Sequence, residues 1–173
     1  MRILFVCTGN LCRSPMAEAL LRHHIESRHV DNAEVGSSGT WAIEGSPATS
    51  EAIRVMGELG INLRDHRSRH LTRGQLEWAD LVVAMTSVHV REIGDVAPEA
   101  LPKVRLLKEL REIDAPLAGA DPSSRLRALL AGLRPRARRG LDVDDPIGLG
   151  PGAYRRCVKE LQAGVAVIAR LIE

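Results

Sequence analysis

Aromatic side chains are almost missing from this chain of 173 residues, which holds one Phe, one Tyr and two Trp. Its core must therefore be aliphatic, and each aromatic raises a question about its position. Cysteine is scarce too, at three. An odd count in a short chain speaks against a secreted disulfide framework and for a reducing, cytoplasmic setting. No apolar run approaches the roughly 20 residues of a membrane span, and the opening apolar run is too short for the core of a secretory signal. No membrane partner is expected. Strong charge of one sign is also absent: 24 Lys and Arg face 22 Asp and Glu, for a net +2. That is too mild to argue for nucleic acid. What is present is an ordinary globular composition, 45% hydrophobic and 27% charged, long enough for a single domain over residues 1–173 with a sizeable core. There is no internal repeat, and a monomer is expected.

The apolar run at 3–6 and the segment 80–85 read as buried strands, and 33–38 and 104–107 as further short strands. Helical patterns follow from Pro15 through Leu20, Leu21 and Ile25, over 48–59 with Gly60 as the stop, beyond Met85 to about Ile93, and over 154–172. Strands alternating with helices predict an α/β fold, a four-stranded parallel sheet with helices on both faces. Residues 113–144 form the irregular part, an extended or inserted connection. Asp121, Pro122 and Ser123 can start a short helix there, and 134–139 is a basic stretch. That stretch reads either as a solvated linker or as a docking strip for an acidic partner.

The chemistry concentrates where the first strand ends. Residues 7–14 read Cys-Thr-Gly-Asn-Leu-Cys-Arg-Ser, with Pro15 next. A strand, a cysteine, five residues, an arginine and a helix start put a thiol at the floor of a loop. Backbone N–H groups turned into such a loop at a helix N-terminus favour an anion, the thiolate included. Gly9 permits torsions that other residues resist, and Asn10 tolerates the left-handed region. Arg13 offers a planar fork to two phosphate oxygens and counters charge during in-line transfer. Ser14 either donates toward Cys7 or caps the helix. Thr8, Gly9, Asn10, Leu11, Cys12 and Ser14 are thus the candidate phosphate cradle around Cys7 and Arg13. The alternative is a buried cysteine in a tight turn with a surface arginine.

On these residues the chain resembles the low-molecular-weight protein tyrosine phosphatase family. That family shares its fold with thioredoxin-coupled arsenate reductases and bacterial protein arginine phosphatases. The likeness runs through 3–18, 37–41, 65–69 (Asp-His-Arg-Ser-Arg), 80–86 and Asp145-Pro146. It implies a phosphotyrosine phosphatase I-like fold, a flavodoxin-like three-layer arrangement. It implies Cys7 as nucleophile through a phosphocysteine intermediate and Arg13 as phosphate ligand. Asp145 would be the general acid, with Asp142 and Asp144 as neighbouring competitors that lack a following proline. No metal or other cofactor is implied, and the cysteine spacing does not suit zinc. Cys12 matches a second loop cysteine that either pairs reversibly with an oxidised Cys7 or simply packs. Cys157 reads as a small core residue. His66 and Ser37 match supports of the loop. His23, His24, His29, His70 and His89 read as surface or helix-face residues, and Trp78 as structural.

The expected substrate is a phosphorylated protein or peptide. Leu11 is bulky and apolar, like the residue tyrosine phosphatases resemble one another in placing there, whereas arginine phosphatases carry Thr. Trp41 either stacks on a tyrosyl ring or packs back on the helix holding Val55. Against the tyrosine reading, residues 147–150 (Ile-Gly-Leu-Gly) stand where aromatics usually follow the Asp-Pro, leaving arginine phosphatase activity open. An arsenate reductase would need further cysteines after the middle strand, and 85–98 has none. A pure phosphate-binding module would need neither sulfur nor acid.

Overall fold

A computed structural model describes residues 1–112, 121–132 and 140–173. The basic stretch at 134–139 lies outside the described residues, as does much of the extended connection. Four parallel strands form the sheet: β1 (Arg2–Cys7), β2 (Glu34–Gly39), β3 (Leu81–Ala84) and β4 (Val104–Leu106), in the order β2-β1-β3-β4. Along β1 the side chains alternate between two cores. Ile3, Phe5 and Cys7 face α1 (Arg13–Arg28), α2 (Ser50–Gly57) and α6 (Pro151–Ile172), together with Leu81 and Val83. Leu4 and Val6 face the other side with Val82 and Ala84, where α3 (Arg73–Trp78) and α4 (Ser87–Val96) pack through Leu76 and Ile93. Both faces are covered, which is why the two central strands, β1 and β3, read as apolar runs and not as alternating ones. The single phenylalanine, Phe5, is fully buried in the central strand, a placement worth about 2 kcal/mol. α5 (Pro122–Gly132) adds Leu129 to the first core, with Leu126 and Leu130 against it.

The expected strands and helices all form, with boundaries moved by a few residues. α1 begins at Arg13, so Pro15 sits in the first turn, where its missing N–H costs no helical hydrogen bond. α3 was not legible from periodicity, since it spans only 6 residues. It is fixed by a capping box in which Thr72 and Gln75 bond each other's backbone N–H.

This topology positions the site. From β1 the sheet grows to β2 on one side and to β3 on the other. The carboxyl end of β1 is therefore the switch point, where open parallel sheets leave a crevice. The segment between Cys7 and α1 fills that place.

Candidate active site

Cys7 ends β1 and is 1% exposed, directly beside Gly39 in the register of β2. β2's continuation then runs along the loop: Thr40 N–H donates to the Cys7 carbonyl and Trp41 N–H to that of Thr8, both at 2.9 Å. The approach is so close that a Cβ on Gly39 would lie 2.4 Å from the Thr8 carbonyl oxygen and 2.8 Å from Asn10 N. Only glycine fits there. On the other side, Thr49 N–H donates to the Leu11 carbonyl at 2.9 Å, tying the loop to the start of α2.

Asn10 holds the curl. Its φ of 54° is left-handed, and its side chain is wholly buried. Gly9, by contrast, does not take a positive φ, so the expectation that it supplies the unusual torsion is corrected. The turn is made by Asn10, whose short amide replaces the lost backbone contacts. Asn10 Nδ2 donates to Ser14 Oγ (2.9 Å) and Ser37 Oγ (2.8 Å), and Asn10 Oδ1 accepts from Arg69 N–H (2.9 Å). His66 Nε2 donates to the Asn10 carbonyl at 2.8 Å, and burial pulls its imidazole below the ordinary histidine range.

These bonds have a forced direction. Glu18 is buried, pairs with Arg22 and accepts from Ser37 Oγ. A carboxylate only accepts, so the Ser37 proton goes to Glu18 and its oxygen must receive Asn10. The second Asn10 proton then occupies Ser14 Oγ. The Ser14 hydroxyl proton is left for Cys7 Sγ, 2.9 Å away, or the longer contact to the Ser38 carbonyl at 3.4 Å. Ser14 thus serves the sulfur and does not cap α1, whose first turn has no side-chain cap. Glu18, unassigned by sequence reasoning, sits four residues after Ser14 on the same helix face. That spacing was the available signal.

Arg13 lies buried at the start of α1. Its guanidinium donates to the Val143 carbonyl at 3.2 Å and forms an ion pair with Asp145, while its Nε is buried without a partner. Asp145 Oδ1 also accepts from Cys12 Sγ at 3.6 Å and from Ile147 N–H at 3.1 Å. Residues more than 130 apart thus meet over the loop. Of the competing carboxylates, Asp142 is engaged elsewhere, accepting from Ser87 N–H (2.8 Å) and Oγ (3.3 Å) at the start of α4. Asp144 is exposed. Burial, then Cys7 and Asp145, push the Cys12 thiol upward, so it stays protonated at neutral pH. Cys157 packs in the core of α6, and burial raises its thiol to about 12.

His89 corrects a second expectation. It is 2% exposed, not a surface residue. Nδ1 accepts from Thr86 N–H at 3.1 Å in the cap of α4, so the neutral ring carries its proton on Nε2, which meets Thr8 Oγ1 at 2.9 Å. Burial first, and Arg13 second, lower this imidazole to about 4. Trp41 is 71% exposed and does not pack on α2. Its indole N–H donates to Glu92 of α4 at 2.8 Å. Leu11 is half-buried at the loop's rim.

The family model described as "Low molecular weight phosphotyrosine protein phosphatase" matches residues 2–127. The chain belongs to that family. A protein-arginine-phosphatase from Geobacillus stearothermophilus is 48% identical over 172 residues, covering 99% of this chain and 94% of its own length. A low molecular weight protein-tyrosine-phosphatase from Streptomyces coelicolor is 34% identical over 167 residues, covering 94% and 87%. Among solved structures, a YwlE arginine phosphatase with a phosphorylated active-site serine in place of cysteine superposes with a TM-score of 0.78. It is 34% identical and covers 98% of this chain and 93% of its own. The phosphatase family's α/β fold is the one described above.

Proposed function

We propose that Cys7, Arg13 and Asp145 hydrolyse phosphotyrosine in proteins through a cysteinyl-phosphate, without a metal. The convergence of Arg13 and Asp145 over the Cys7 loop carries this reading. In the first step the Cys7 thiolate, held by the Ser14 hydroxyl beside the start of α1, attacks phosphorus. The P–O ester bond breaks, and the Asp145 proton goes to the leaving oxygen. In the second step Asp145, now a carboxylate, takes a proton from water. The water oxygen attacks phosphorus and sulfur leaves as thiolate. Arg13 meets the equatorial oxygens, for which its partnerless Nε is a ready donor. A bound phosphate competes with Asp145 for the guanidinium. The solved relative with a phosphorylated serine at its active site supports attack from this position.

Leu11 favours the tyrosyl ester, since an apolar rim suits an aromatic leaving group better than a guanidinium. A second reading, phosphoarginine, is favoured by the 48% identical arginine phosphatase and by Ile147 and Gly148 where aromatics would form a wall. Comparing phosphotyrosine and phosphoarginine peptides separates the two, and Leu11→Thr should move the ratio toward phosphoarginine. Activity on an aryl phosphate that survives EDTA, and is abolished by Cys7→Ser, is expected. Loss with EDTA overturns the mechanism.

The whole chain is proposed to act as one phosphatase domain, monomeric and cytoplasmic, with no nucleic-acid partner. Three free thiols fit a reducing compartment, and among the described residues no helix is long and apolar enough to cross a membrane. Cys12 is available for a reversible disulfide with Cys7, the redox role its position suggests.

A further inference from the structure

Trp41 and Glu92 are left over from this chemistry. Trp41 is anchored at both ends: its backbone N–H is on the Thr8 carbonyl, next to Cys7, and its indole N–H is on Glu92 Oε1. An indole fixed by its edge and 71% exposed presents a flat ring face at the mouth of the site. Glu92 accepts only that neutral hydrogen bond among the described residues, and its Oε2 is buried without a partner. Among the described residues no Lys or Arg forms an ion pair with it. Asp144, next to Asp145 in the chain, is exposed, and Asp142 caps α4. The mouth thus carries an exposed indole whose N–H edge is held by a carboxylate.

From this juxtaposition we infer that Trp41 and Glu92 form a subsite for a cationic side chain, lysine or arginine, next to the phosphorylated residue of a protein substrate. The ring face attracts the cation through its quadrupole, and the carboxylate adds charge attraction. A flanking Asp or Glu would meet like charge and be disfavoured. The subsite rests on the proposed phosphatase reading and extends it from the phosphate to its sequence context.

The test uses paired phosphopeptides identical except for Lys or Glu on either side of the phosphorylated residue, made with whichever phosphoresidue the enzyme hydrolyses. The wild-type protein should prefer the Lys peptides by about threefold to tenfold in kcat/KM, mainly through KM, and the preference should shrink as salt rises. Glu92→Gln keeps an acceptor for the indole but removes the charge, and should bring the ratio toward one. Trp41→Leu should do the same by removing the ring. Hydrolysis of a small aryl phosphate reports separately on the central chemistry. A wild-type ratio near one, or a ratio that Glu92→Gln leaves in place, overturns the subsite while leaving the phosphatase reading intact. An enzyme that turns over neither peptides nor aryl phosphate overturns both.

Discussion

Acidification should weaken this fold through one buried imidazole. His89 is nearly inaccessible, and both of its nitrogens are committed in the neutral form: Nδ1 accepts from Thr86 and Nε2 meets Thr8. Protonation would set two N–H groups face to face at the cap of α4. The charged groups around it are Arg13, which opposes its protonation, and Glu92, Asp145 and Asp142, which favour it; burial, joined by Arg13, outweighs the three carboxylates. An ordinary histidine titrates near 6.5 and His89 near 4. Between those values the unfolded chain binds a proton that the native protein refuses, so stability falls as pH drops through the window and levels off below it. At about 1.4 kcal/mol for each pH unit, the loss is about 3 kcal/mol. His89→Gln supplies the comparison, because glutamine at the third position after Thr86 can complete a capping box without titrating. Urea unfolding at about pH 7.5 and about pH 4.5 gives the stability of each protein. Wild type should lose about 2–3 kcal/mol more than His89→Gln, since losses from the carboxylates are common to both. Equal losses would refute the reasoning.

Three further substitutions test the loop and the acid. Asn10→Ala removes three hydrogen bonds and leaves a left-handed residue without its compensating amide. It should cost about 2–4 kcal/mol in urea unfolding, and a loss under 1 would mean the network is slack. Gly39→Ala forces a methyl group against the Thr8 carbonyl. It should lower kcat/KM on an aryl phosphate by about 100-fold with the fold retained by circular dichroism, and near-normal turnover would show that the loop gives way freely. Asp145→Asn should slow esters with poor leaving groups by about 100-fold or more and nitrophenyl esters far less. Uniform slowing would assign the proton to another group.

What could be read from the sequence was what depends on short-range pattern. Apolar runs gave β1 and β3 because both faces of this sheet are covered, and the Cys7–Arg13 spacing lies within one strand–loop–helix unit. The misses have a common physical origin in partners far apart along the chain. His89 looked like a helix-face residue because Thr8, its partner, is 81 residues away. Trp41 gave no hint of Glu92 at a separation of 51. Gly9 invited the turn by residue type alone, whereas Asn10 took it because Ser14, Ser37 and Arg69 converge on its amide. α3 was too short for a periodic signal, although Thr72 and Gln75 were legible as a cap.

Val143 is clamped on both sides: its N–H donates to the Met85 carbonyl at 2.8 Å, and its carbonyl receives Arg13. Asp145 is thus set by a fixed post two residues upstream, whatever length of chain arrives there from Leu110. Because ring closure grows only logarithmically, doubling such a stretch costs about 0.6 kcal/mol. Between Leu110 and Val143, outside α5, lies therefore the natural place to graft a tag, a reporter or a foreign module, with hydrolysis left untouched.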